Sequence, residues 1–375
     1  MEDETNVTVI DSGSWLTKSG QGGTDTPSSF MLSQVGTQKD GVPHLPSSPH
    51  NVYGMNAQMK ANEYALTSPF AMGEINHIDL AGKLWYEIIY NELKIDPTTN
   101  TFLLTDSPFC SIAMREKTVE MFFEDFRVPY FAIYPQTVLS LYSTGRTTGL
   151  VTDLGETYSY SMAVVDGYML KQTTTKSELG GKHLNDFCEK LLKQEKLNYG
   201  TIPEVDVPRD IKEKLCYVST DYMGEMKTFM NSNQKNEIYE LPDGHKMHIN
   251  DILIRVPEIL FQPTLMGYEQ PGIQKIVMTT IQKADSDIRT ELLQNITLVG
   301  GTSQFQNIDK RMFNEISDQE TKNHKVKVIA YLDRKYASWT GGSVLTSLNT
   351  FNDTLISSAE YHEYGSSIVN RKYIF

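Results

Sequence analysis

Val9-Ile10-Asp11-Ser12-Gly13-Ser14-Trp15-Leu16-Thr17-Lys18 brings a β-rich run, an acidic end and a glycine turn together near the start of the chain. A partial echo, Val151-Thr152-Asp153-Leu154-Gly155-Glu156, begins its own turn 142 positions further on, from Asp11 to Asp153. In each copy the order of residues spells a hairpin. Such turns aim successive backbone N–H groups at an anion, and an Asp at a strand end is placed to hold a metal through its carboxylate or its waters. One copy alone is a common turn. The pair predicts a grip on a metal-bound polyphosphate, and a repeat at this spacing is the trace of a duplicated domain.

With 375 residues, 39% hydrophobic and 10% aromatic, the chain is long enough for two cores or one two-lobed fold. A net charge of -13 without clustered Lys and Arg argues against direct nucleic-acid binding. Glu2-Asp3-Glu4 reads as a solvated acidic start. Cys110, Cys188 and Cys216 are far apart and odd in number, which fits neither a disulfide framework nor a metal knuckle. No apolar run of about 18 residues and no charged-then-apolar leader is present, so neither a membrane span nor a secretory signal is expected. Cytoplasm or nucleus follows as the compartment. His245 and His248 flank the Pro242-Asp243-Gly244 turn without a third ligand nearby and read as surface.

Between the turns, Gly20 to His50 is rich in Gly, Ser, Thr and Pro, and sparse regular structure is expected there. Leu80, Leu84, Trp85, Ile88 and Ile89 predict a core-facing helix over 78–93. Thr101–Thr105 and Tyr130–Tyr134 read as strands, with helices over 113–126 and from Thr137 to Tyr142. This alternation predicts a mixed sheet with helices packed on it. After the second turn, 176–195 and 208–217 read as helices and 236–254 as two strands around a turn. The stretch 261–273 reads as a loop whose apolar tip, Leu265-Met266-Gly267-Tyr268, either packs back or meets a partner. Ile296–Val299, Gly300-Gly301-Thr302-Ser303 and a helix over 307–316 form a strand, glycine turn and helix, which presents backbone to a ligand. Val326–Ala330 is a further strand, and Gly341-Gly342-Ser343 opens a last helical pair.

Several long strings resemble actin and the actin-related proteins, nearly end to end. They include Val138-Leu139-Ser140-Leu141-Tyr142 with Gly145-Arg146-Thr147-Thr148-Gly149, and Arg209-Asp210-Ile211-Lys212-Glu213-Lys214-Leu215-Cys216-Tyr217-Val218. Tyr239 to Gly244, Gly300-Gly301-Thr302, Arg334-Lys335-Tyr336 and Trp339 with Gly341-Gly342-Ser343 add to these. The resemblance implies an α/β, actin-like two-domain fold with a nucleotide cleft. The first domain is expected over 1–143 and 337–375, with 33–68 its small subdomain. The second is expected over 144–336, with 180–268 its small subdomain.

Carried over by position, the resemblance implies ATP or ADP with Mg or Ca as cofactors. Asp11, Gln136 and Asp153 would face the metal, through water. Ser14, Trp15, Leu16, Lys18, Gly155, Glu156 and Thr157 fall at the phosphates. Gly181, Lys212, Glu213, Gly301, Thr302, Phe305 and Lys335 fall at the adenosine. Gln136 is the residue that positions the attacking water, with Asp153 as its acidic companion. Trp15 and Thr157 stand where the family has glycine. A left-handed backbone there would cost on the order of 1–2 kcal/mol for a side chain. Tyr160 replaces a family His, and a phenol with a reference pKa near 10 does not exchange protons near neutrality as imidazole does. Weak or absent hydrolysis is therefore expected.

The filament-forming surface departs from the family too, with His44, Pro46, Ser47, Ser48 and Pro49 in a loop that is elsewhere apolar, and Met72 at a modified His. A cleft for a partner helix is better kept, at Tyr142, Thr147, Gly167, Tyr168, Leu345, Leu348 and Phe351. The expected role is a cytoskeletal or scaffold subunit of a larger protein assembly, conventional actin among the candidate partners. The alternative is a filament-forming actin with polymerisation-coupled ATPase activity. A sugar kinase or chaperone with the same core is disfavoured, because the matching strings extend far beyond the phosphate turns.

Overall fold

The computed structural model describes residues 6–41, 48–197, 206–231, 237–241, 243–320 and 324–373. Glu2-Asp3-Glu4, Pro43 to Ser47 and Pro242 lie outside the described residues. The chain divides into two compact units: Met1–Thr148 with Val164–Lys171 and Tyr336–Phe375, and Gly149–Ala163 with Gln172–Lys335.

The first unit is built on a six-stranded sheet. Its order is Ile356–Ser357, Tyr130–Pro135, Thr101–Asp106, Val7–Ser12, Leu16–Gln21 and Ser29–Leu32. Val7, Thr8, Val9 and Ile10 are all buried, so both faces of the central strand are covered and the sequence there is a continuous run rather than an alternation. The second sheet runs Tyr168–Ser177, Ser159–Val165, Gly149–Leu154, Ile296–Val299 and Val328–Ile329. Counted along the chain, both sheets share the order third, second, first, fourth, fifth. In both the first strand pairs with the fourth in parallel, and the fourth with the fifth. The repeat seen as two acidic turns is thus a repeat of topology.

Helix Ala337–Thr346 lies across helix Gln136–Tyr142 in the first unit. Gly341 makes this crossing possible, since a Cβ there would sit 1.7 Å from the carbonyl oxygen of Leu139. Trp339, fully buried, donates its Nε1–H to the Val9 carbonyl at 3.1 Å and ties the same helix to the central strand. The glycines that were expected to open a helix therefore sit within one. Tertiary packing overrides their low helix propensity.

Other expectations shift in similar ways. Gly20 to His50 holds two strands, Ser29–Leu32 and Val35–Gln38. The second joins Asn51–Tyr53 and Tyr64–Thr67 in a small sheet whose core is Val52, Ala57 and Tyr64. The helix at 78–93 is α-helical over Ile78–Tyr86 and then widens to a π-helix over Glu87–Glu92. The helix expected from Lys176 begins at Gly181 instead, because strand Tyr168–Ser177 runs through its first residues. The second strand of 236–254 ends at Ile249 and helix Ile252–Glu258 follows. At the tip of 261–273, Pro263–Met266 forms a 3-10 turn and Tyr268 packs edge-on against His183 at 5.7 Å, while Leu265 is exposed. No described helix is long and apolar enough to cross a membrane. All three cysteines are free.

Gly341→Ala tests the helix crossing. Propensity alone favours alanine by about 1 kcal/mol. Forcing a methyl onto a backbone oxygen costs more, and net destabilisation of about 3 kcal/mol is expected. Denaturant unfolding would read it as a lowered midpoint; an unchanged or raised midpoint would show that the helices move apart freely.

Candidate functional site

In the first unit the parallel register pairs Ile10 with Leu104, which brings Asp11 beside Thr105. The Thr105 hydroxyl donates to Asp11 Oδ1 at 2.7 Å. The antiparallel register places Asp11 opposite Lys18, whose Nζ reaches Oδ2 at 2.8 Å. Both carboxylate oxygens are thus engaged, and the residue is 4% exposed. Such a charge-assisted arrangement fixes the carboxylate in direction. Gln136 opens helix Gln136–Tyr142 directly after strand Tyr130–Pro135, and Pro135 pairs with Asp106. Asp11, Thr105 and Gln136 therefore gather at the carboxyl ends of three adjacent parallel strands, the end at which open α/β sheets bind ligands.

The turn between the strands is held at several points. The Gly13 N–H donates to the Leu16 carbonyl at 3.3 Å, the Ser14 carbonyl accepts from the Ser68 hydroxyl at 2.9 Å, and the Trp15 carbonyl accepts from the Ser33 N–H at 2.8 Å. Trp85 Nε1 donates to the Ser12 hydroxyl at 3.0 Å. Trp15 and Leu16 are half-buried. The left-handed non-glycine residues are Met72, Lys94, Arg127, Asp166, Lys196 and Asn307, and neither Trp15 nor Thr157 is among them. The backbone strain weighed for those two side chains is absent. Any effect of the indole on a ligand is one of space.

The second unit carries its own set. Asp153 pairs in register with Val299, and Gly300, at φ +88°, follows directly. Gly155 is braced on three sides. Its N–H donates to the Tyr158 carbonyl at 3.1 Å, and its carbonyl accepts from the Gly181 N–H at 2.9 Å and the Thr302 hydroxyl at 2.8 Å. Glu156 forms a two-point ion pair with Arg209, at 2.7 and 3.3 Å, with the two side chains 13% and 11% exposed. Glu156 Oε2, Thr302 Oγ1 and Lys212 Nζ converge at 2.7, 2.7 and 3.4 Å on the point where a Gly181 Cβ would stand. This is a polar niche with an acceptor, a hydroxyl and an ammonium facing one another. Burial holds Lys212 below the ordinary lysine range, and Arg209 adds to the effect.

Phe305 is buried, whereas Glu213 and Lys335 are exposed. Tyr160 is 1% exposed, and its ring stacks on Tyr158 at 5.8 Å. The Lys176 amine sits over the Tyr158 ring at 4.7 Å. Of the expected partner cleft, Tyr168 and Leu348 are exposed and Tyr142 is half-buried, with its hydroxyl above Gly167. Thr147 is exposed, and its carbonyl accepts from the Gly167 N–H at 2.9 Å. Leu345 and Phe351 lie inside the protein, 3% and 2% exposed. No cluster of three metal-ligating side chains exists among the described residues.

Thr105 and Arg209 were not singled out by residue type. Thr105 read only as a strand residue, and its role depends on parallel register. Arg209 lay in a recognised string, but its partner is 53 positions away.

Two sheets of one strand order, each with an aspartate toward the end of its first strand, define a duplicated α/β protein of the two-domain, actin-like type. The family model described as Actin matches residues 2–374, and the chain belongs to the actin family.

Arg209→Ala leaves the Glu156 carboxylate buried without its guanidinium, and a loss of about 3 kcal/mol is expected. The double change Glu156→Gln with Arg209→Leu removes both charges and should recover most of that loss. Thermal melts of the three proteins decide it: equal melting for wild type and Arg209→Ala would mean the pair is energetically idle.

Proposed function

We propose that this chain is an actin-like structural subunit of a larger protein assembly, binding ATP or ADP with Mg or Ca and hydrolysing it weakly or not at all. The observation that carries the reading is Tyr160, a buried phenol stacked on Tyr158 at the position of the family His. A buried tyrosine offers no proton exchange near neutrality.

The donor set fits a metal-bound nucleotide. Lys18 supplies a cationic group for phosphate, and each unit carries a strand-end aspartate, Asp11 in the first and Asp153 in the second, of the hard-oxygen type that suits a cation's hydration shell. Gly301 offers further support. Its φ is not left-handed and, among the described residues, no atom outside its own stretch of chain lies within 4 Å of where its Cβ would be, so no contact seen there requires glycine. Close approach of a ligand to the backbone would. The niche at Gly181 suits the hydroxyls of a sugar, with Glu156 accepting and Lys212 donating. A divalent cation, when bound, spreads the polyphosphate charge. Lys18 neutralises Asp11 beforehand, so the carboxylate does not repel an incoming phosphate. Bound nucleotide then stabilises the folded state by linkage, without turnover.

A second reading, filament assembly with hydrolysis, is favoured by one observation, Gln136 at a helix start directly after Pro135, which pairs with Asp106. Denaturing the purified protein is expected to release ATP or ADP, and finding none would remove the nucleotide from this account. Raised magnesium and salt should leave the protein in the supernatant after sedimentation; robust pelleting with actin-like phosphate release would establish the second reading. Tyr160→His is expected to raise phosphate release by about a hundredfold, the lower end of the general acid–base range, and a rate equal to wild type would show that the phenol is not what limits turnover.

A further inference from the structure

The described chain ends in the first unit on Tyr373, which is 5% exposed although only two residues from the terminus. Its ring lies against the Arg115 guanidinium, 3.8 Å from ring centroid to Cζ. Arg115, 2% exposed, is bonded to Asp106 Oδ2 through Nε at 2.9 Å and Nη2 at 2.8 Å. The Tyr373 hydroxyl and the Cys110 thiol complete the surroundings of that carboxylate. Burial pushes the Asp106 carboxyl up from its ordinary range, against the pull of Arg115. The terminal segment is fixed elsewhere too, by Asn370 to Glu116 at 2.6 Å and Lys372 to Glu360 at 3.1 Å.

Asp106 is the residue after Thr105, which donates to Asp11, and it pairs with Pro135, the residue before Gln136. We infer that Tyr373 is a positioning residue for the phosphate-side groups: by holding Arg115 on Asp106, the C-terminal segment clamps the strand end that aims Thr105 at Asp11 and sets the start of the Gln136 helix. This rests on the nucleotide reading above. The clamp is physically plain. An Arg–Asp pair closed off from water has one geometry, whereas the same pair opened to water has many, and the strand end inherits that freedom.

The test uses full-length protein with Tyr373→Leu, which keeps apolar bulk but loses the ring, and Tyr373→Phe, which keeps the ring over Arg115. Dissociation of a fluorescent ATP analogue should be about fivefold faster for Tyr373→Leu and within about twofold of wild type for Tyr373→Phe, the size of coupling that packed networks carry. In a Thr105→Val background Tyr373→Leu should add distinctly less than it does in wild type, because the link to Asp11 is already cut and only the Gln136 branch remains. Backbone amide exchange at 103–106 and 134–137 should rise in Tyr373→Leu, whether or not nucleotide is bound. Equal acceleration in both backgrounds, or a dissociation rate within about 1.5-fold of wild type, overturns the inference. If the wild type holds no nucleotide, the functional reading fails separately, and amide exchange then decides: unchanged exchange overturns the clamp, and raised exchange upholds it as a mechanical link.

Discussion

A carboxylate at the end of the central strand, Asp11, is held by two side chains that only this sheet order can deliver. Thr105 comes from the parallel neighbour and Lys18 from the antiparallel one. Change the order and one of the two is lost. The requirement reaches outward, because the central strand is itself fixed by the Trp339 bond to Val9, and Trp339 rides on a helix whose position depends on Gly341. A polar group at the surface of the sheet is thus oriented by packing on its other side, which is how a rigid scaffold carries a site.

The second copy of the motif solves the same problem differently. At the spacing of 142 that relates Asp11 to Asp153, Lys18 corresponds to Tyr160 and Ser14 to Glu156. The second hairpin has lost its lysine and gained a carboxylate. Its positive charge comes from Arg209 and Lys212, both on helix Val207–Lys214. Each unit therefore brings its acid–base pairing to near neutrality by itself, one within a hairpin and one across a helix. Buried opposite charges tolerate little else, since an unpaired member would carry an uncompensated desolvation cost.

How much of this could be read from residues follows from the range of each interaction. The hairpins were legible because turn chemistry is local, and the duplicated topology because its trace is periodic. The helix positions of Gly341 and Gly342 were not legible, since glycine argues against a helix interior and only the contact with Leu139 reverses that. The strand Tyr168–Ser177 was hidden behind the charged pattern of the helix after it, although its run of threonines favours extended backbone. The short strands of the small sheet were masked by Gly, Ser and Pro composition. They exist because Val52, Ala57 and Tyr64 find one another across turns. The pairings of Asp11 with Thr105 and of Glu156 with Arg209 were not legible, because each joins residues far apart in the chain.

The departures from the family separate into two kinds with different consequences. Trp15 and Thr157 were suspect for their backbone, and their backbone proves ordinary, so what they change is side-chain volume and not charge. Tyr160 alters chemistry, because it exchanges a group that titrates near neutrality for one that does not. Binding depends on charge, hydrogen bonding and space, and these are summed over many residues. Turnover depends on one water and the few groups that order it. Under the proposed nucleotide reading, a chain that keeps Asp11, Lys18, Asp153 and Lys212 while burying Tyr160 against Tyr158 gives up far more of the second than of the first.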